Sequence, residues 1–114
     1  MQTVNFELNQ GESREEVLQF ADKYGTVLPL LGLSARMQMR VKNADGVVAD
    51  ELTTTNSRII LNTSTNKASL IWSATQTANL PVDFYAYDLE LYNEFGVYKP
   101  IGGTITIPTR EVTR

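Results

Sequence analysis

The sequence predicts an all-β domain, a sandwich or barrel of seven to eight short strands with one short helical turn near 74–80. Three observations lead there. Apolar residues alternate with polar ones over short runs, the period of a half-buried strand. Turn-forming residues interrupt these runs at intervals of about 8–12 residues, the spacing of sandwiches and barrels. The 114 residues fit one domain, with no internal repeat, linker or low-complexity segment. Residues 1–108 are expected to form that domain, and the polar TREVTR of 109–114 a loose tail.

The opening run is read as a strand, with Val4, Phe6 and Leu8 inward and Thr3, Asn5, Glu7 and Asn9 outward. Gln10-Gly11-Glu12 closes it. Ala35, Met37, Met39 and Val41 alternate with Arg36, Gln38, Arg40 and Lys42, a strand with one buried and one basic face. Asn43-Ala44-Asp45-Gly46 is a turn, since Asp-Gly suits positive φ, and Val47 to Leu52 is expected to pair back across it. Ile59 with Leu61, and Ala68, Leu70 and Trp72, read as a hairpin across the polar turn Asn62 to Asn66. Ser73 to Leu80 is a helical turn capped by Ser73 and stopped before Pro81. Tyr85, Tyr87, Leu89 and Leu91 form the next inward face, and Asn93-Glu94-Phe95-Gly96 the next turn. Thr104 to Ile107 is the last strand, ended by Pro108. Pro100 and Pro108 beside it are expected to limit pairing at an exposed edge.

Gly11 to Gly25 (GESREEVLQFADKYG) supports two structures. Ser13-x-x-Glu16 has the form of a capping box, and Val17, Leu18, Ala21 and Tyr24 have helical spacing. That apolar stripe is thin for a lone helix in a small sandwich. As a strand, Leu18 and Phe20 face inward and Asp22-Lys23-Tyr24-Gly25 turns the chain. Consistency with the flanking strands selects the strand, although propensity over Arg14 to Val17 favours helix.

Composition narrows the function classes. Hydrophobic residues make up 42% and charged residues 20%, ordinary values for a globular domain. A net charge of −3 is unsuited to gripping phosphate backbones, so nucleic acid is not expected as a partner. The absence of cysteine excludes disulfides and thiolate chemistry, and the absence of histidine removes the commonest general base and zinc ligand. MQTVNFELNQ lacks the charge and apolar run of a signal peptide, and no segment approaches the roughly 18 apolar residues of a membrane span. A soluble chain made in a cytoplasm is expected, which leaves the sequon Asn62-Thr63-Ser64 without meaning.

From Gly25 onward the sequence resembles small virion proteins of tailed phages and prophages. Their pattern has Gly-Asp-Thr, a Leu-x-Trp strand, a Gly-x-Pro-x-Asp-Leu-Thr-Gly loop and Ala-Arg-Met-Gln-Val-Arg. Later come Ala-x-x-Thr-Ala-x-Leu, Tyr-x-Tyr-Asp-Leu-Glu-Leu and a closing Val-Thr-Arg. This chain has Gly11-Glu12-Ser13, Leu18-Gln19-Phe20, the loop Gly25 to Gly32, and Ala35-Arg36-Met37-Gln38-Met39-Arg40. It then has Ala74 to Leu80, Tyr85-Ala86-Tyr87-Asp88-Leu89-Glu90-Leu91 and Val112-Thr113-Arg114. It departs at Glu12 for Asp, at Pro29 and Leu31 for Asp and Thr, and at Asp83 for Gly. The resemblance implies an Ig-like antiparallel β-sandwich like those of tail, neck or baseplate assemblies, including the N-terminal module of baseplate upper proteins. It implies a non-enzymatic virion component, made in the bacterial host cytoplasm, whose partners are other virion proteins and itself. A carbohydrate- or receptor-binding sandwich is the alternative. No cofactor, nucleic acid or membrane is expected in either.

Candidate sites are read against plainer roles. Asp88 can pair with Arg36 or Arg40 if their strands are neighbours, either as a polar docking face or as an exposed salt bridge of little weight. Trp72, Tyr85 and Tyr87 have the form of a sugar platform, but their alternation places them in the core. Tyr24, Tyr92, Phe95 and Tyr98, at or near turns, are the candidate exposed aromatics. Asp45, Asp50 and Glu51 lack the dense spacing of a calcium loop. The apolar stretch Leu28, Pro29, Leu30, Leu31, Gly32 and Leu33 either plugs one end of the sandwich or meets another protein. No nucleophile stands beside a base, and no phosphate loop or marked carboxylate pair is present.

Overall fold

The computed structural model describes residues 2–21, 24–42 and 46–108, with only the backbone of Lys99. Two sheets pack face to face. In chain order the strands are β1 (Gln2–Thr3), β2 (Phe6–Glu7), β3 (Arg14–Gln19), β4 (Ser34–Val41), β5 (Val48–Thr53), β6 (Ile59–Asn62), β7 (Lys67–Trp72), β8 (Asp83–Asn93) and β9 (Gly96–Ile107). The helix α1 (Ala74–Ala78) lies between β7 and β8. The larger sheet runs β1–β9–β8–β4–β5, with β2 also paired to β9, and the smaller runs β3–β7–β6. Both N-terminal strands run parallel to β9, and every other pairing is antiparallel.

This is an Ig-like sandwich: β3, β7 and β6 face β9, β8 and β4, and β5 extends one edge. A second feature of that architecture is present. The Tyr85 hydroxyl, near the start of β8, donates to the carbonyl of Pro81 four residues upstream and pins the corner where the chain changes sheets.

The alternation read from sequence is the alternation of burial. Ala35, Met37 and Met39 of β4, and Tyr85, Tyr87, Leu89 and Leu91 of β8, point into the core. Leu18, Ala68, Leu70 and Trp72 meet them from the smaller sheet. Each large side chain so buried contributes about 1.5–3 kcal/mol. Gly11–Gly25 resolves as a strand over Arg14–Gln19 paired with β7, and Leu18 and Phe20 are buried. Ser13 and Glu16 therefore do not cap a helix. The capping box belongs to α1, where the Ser73 hydroxyl accepts from Gln76 N–H and the Gln76 side chain accepts from Ser73 N–H.

Three expectations are corrected. The opening strand is interrupted at Val4–Asn5, where Asn5 Oδ1 accepts from Thr104 N–H at 2.8 Å in place of a backbone carbonyl. The last strand starts at Gly96, not near Thr104, and contains Pro100. The ladder tolerates this proline at a bulge: Leu89 faces Ile101 and Leu91 faces Tyr98, so Lys99 and Pro100 stand against Glu90 alone. The N-terminal strands cover β9 at Ile101–Gly102 and Ile105–Thr106, so that part of it is not the exposed edge the sequence suggested. The Asp22-Lys23 half of one expected turn, Asn43 to Asp45 of another, and the tail 109–114 lie outside the described residues.

Candidate interaction surface

One end of the sandwich is built from three connections. The first leaves β3. Leu28 N–H donates to Phe20 O at 2.9 Å, and Ala21 bridges Val27, which folds the chain into a narrow loop. A second turn follows, with Leu33 N–H donating to Leu30 O at 3.1 Å. Gly32 takes φ of +82°, the backbone that the third position of a type II turn demands. Leu30 is fully buried, and its N–H donates to Asn66 Oδ1 at 3.1 Å, which ties this loop to the β6–β7 turn. Leu28 and Leu33 pack against the core.

The apolar stretch therefore divides. Leu28, Leu30 and Leu33 close the end of the sandwich, whereas Pro29 is exposed and Leu31, at the turn's corner, is 81% exposed. The third connection is the β8–β9 hairpin. Asn93 Oδ1 accepts from Phe95 N–H at 2.8 Å and Gly96 N–H at 3.1 Å, and this fixed turn holds Phe95 outward at 84% exposure. Pairing of Ser34 with Tyr92 brings the start of β4 beside this hairpin, so both loops belong to the same end.

Of the four aromatics singled out by sequence, Tyr24, Phe95 and Tyr98 are exposed. Tyr92 is half-buried beneath the Arg36 guanidinium, 4.7 Å from its ring centre. Val27 and Val97 join the exposed set and were not foreseen. Val97 directly follows the Asn93–Gly96 turn that the sequence marks, on a strand expected to begin only near Thr104.

The outer face of the larger sheet is polar. β4 and β8 are neighbours, as the expected ion pair required, but the register sets Arg36 opposite Glu90 and Asp88 opposite Gln38. Arg36 Nε donates to Glu90 Oε2 at 2.7 Å, and this bond raises the guanidinium's pKa further. Arg40 donates to Gly46 O at 2.6 Å and to Gln38, whose amide donates to Glu51 at 2.8 Å. Asp88 thus takes neither arginine as its cross-strand partner. Arg36, Gln38, Arg40, Asp88 and Glu90 line a shallow groove with Ala86.

Trp72, Tyr85 and Tyr87 are core residues. Phe6 packs edge-on to both Trp72 and Tyr87, at ring separations of 5.8 and 5.7 Å. Asp50 is committed to Arg58 through two contacts of 2.6 and 2.8 Å, and Glu51 to Gln38, while Asp45 lies outside the described residues. Among the described residues, no group of three or more carboxylates gathers as a metal site, and no helix is long and apolar enough to cross a membrane.

The fold and this surface define a class, an Ig-like β-sandwich with an apolar loop end. No protein-family model matches the chain, and no curated protein matches it in sequence.

Proposed function

We propose that this chain is a non-enzymatic structural component of a phage or prophage virion, in the tail, neck or baseplate, and that it works by protein–protein assembly. The observation that carries the reading is the loop end, where well-fixed turns hold Leu31 and Phe95 in solvent. Exposed apolar side chains held at one end in this way suit lasting contact with another protein. The ordered resemblance to virion proteins supplies the setting: synthesis in the host cytoplasm, then incorporation with other virion proteins. Immunogold labelling with antiserum against the chain tests this on particles purified from the strain that encodes it. Labelling at a fixed position on the particle is expected. Particles that carry no label, and no peptide of the chain by mass spectrometry, overturn the reading.

A carbohydrate- or receptor-binding role is the second reading, favoured by the exposed rings of Tyr24, Phe95 and Tyr98 at that end. It requires saturable binding on a glycan array that Phe95→Ala abolishes.

A further inference from the structure

We infer that the loop end is a self-association face, on which two copies of the chain meet in a symmetric dimer through Tyr24, Val27, Leu31, Phe95, Val97 and Tyr98. The inference rests on the assembly reading and names its partner as a second copy.

Three observations carry it. Among the described residues, twelve large hydrophobics are exposed, and half of them lie at one end: Tyr24, Val27, Leu31 and Phe95 on two loops, and Val97 and Tyr98 on the first residues of β9. With roughly 150–250 Å2 for a fully exposed aromatic and less for Leu or Val, their exposure amounts to about 700 Å2 per copy. A stable standard-size interface buries about 800 Å2 per partner, so this end is of the size a dimer needs.

The second observation is charge. Residues 20–33, 63–66 and 93–96, the three connections at this end, include three charged residues, Asp22, Lys23 and Glu94. Asp22 and Lys23 cancel. Elsewhere Arg36, Arg40, Asp88, Glu90 and Glu51 crowd the outer face of the larger sheet, and Glu15 stands on the smaller one. An acidic chain of net charge −3 repels its own copies wherever carboxylates meet. An apolar face with few charges is complementary to itself, and a two-fold contact closes the assembly without leaving a second such face open.

The third observation is rigidity. The Asn93 turn and the tie from Leu30 to Asn66 hold Phe95 and the turn that carries Leu31 in place before contact, which lowers the ordering cost of association.

Light scattering coupled to size exclusion, with sedimentation equilibrium, tests this on the full chain from about 1 to 500 μM, a range bracketing micromolar dissociation constants. The mass is expected to rise from 12.7 kDa towards twice that value. Leu31→Glu and Phe95→Glu, both at exposed turn corners, are expected to keep the native circular dichroism spectrum and weaken the dimer at least about tenfold. Ile60→Glu, on the outer face of the smaller sheet, leaves the dimer unchanged. A wild-type mass of 12.7 kDa throughout overturns the inference, as does a dimer disrupted by Ile60→Glu but not by the loop variants. A wild-type monomer that binds a glycan array through Phe95 overturns it in favour of the sugar reading. Monomer in solution with labelled particles overturns self-association alone, whereas a dimer with unlabelled particles overturns the virion reading alone.

Discussion

Gly103 shows how one absent side chain shapes the molecule. A Cβ there would lie 2.2 Å from the carbonyl oxygen of Val4, a backbone atom that cannot swing away. The N-terminal segment can cross β9 at this point because position 103 is glycine. Gly103→Ala is expected to cost about 1–3 kcal/mol or more, the range of overpacked cores, and to loosen residues 2–8 first. Urea unfolding with hydrogen exchange of the Phe6 and Leu8 amides reads both effects. Across the same contact, the Tyr87 hydroxyl donates to Val4 O at 2.7 Å. Burial, and secondarily the Glu16 carboxylate, push the Tyr87 hydroxyl up to about 12 from 10.0. The folded state thus holds a proton that the unfolded chain releases above pH 10, and stability is lost as pH rises from about 10 to about 12. Burial raises Tyr85 in the same direction. Tyr87→Phe is expected to cost about 1–2 kcal/mol at neutral pH through the unpaired carbonyl, and to flatten the alkaline loss of stability. Urea midpoints measured between neutral and strongly alkaline pH check both.

At the scale of elements, the instructive segments are those whose local pattern did not decide their structure. Arg14 to Val17 carries helix formers, yet pairing of Arg14–Gln19 with β7 satisfies the backbone and buries Leu18, which a thin helical stripe cannot match. Pro100 reads as a strand breaker, and only the opposing β8 register supplies the bulge that accepts it. Arg58 carried no sequence signal at all, since nothing local predicts a partner on β5. Its guanidinium holds Asp50 at two points and donates to the carbonyls of Glu51 and Ile71, which joins the edge of one sheet to the other. Both side chains are more than four-fifths buried. Asp50→Asn leaves that cation without its counter-charge, and the expected loss is about 2–3 kcal/mol, somewhat below that of a fully buried pair. Chemical denaturation measures it. Arg36→Gln, which removes an exposed pair, is expected to leave the midpoint unchanged in the same experiment.

For the whole molecule, self-association through the loop end links stability to concentration. If two folded copies bind each other and unfolded chains do not, mass action raises the thermal midpoint with protein concentration. Differential scanning calorimetry at low and high micromolar concentration is expected to show that rise in the wild type and not in Phe95→Glu. The fold class and the core were legible because a sandwich buries alternate residues, and alternation is written locally: Met37, Met39, Tyr85, Tyr87, Leu70 and Trp72 all lie where their period places them. The polar face was legible as a face and not as pairs, because a pair depends on register, and the β4–β8 register sets Arg36 against Glu90 rather than Asp88. By itself, then, the sequence determined the all-β class and the buried side of the central strands, set by residues within a few positions of one another, but not the bounds of the opening and last strands. The tertiary structure decided the placement of β9 inside its sheet, the joining of Arg58 to Asp50 and the placing of the Leu31 and Phe95 loops at one end. Each of these depends on residues brought together from distant parts of the chain, and no local period records which distant strand becomes a neighbour.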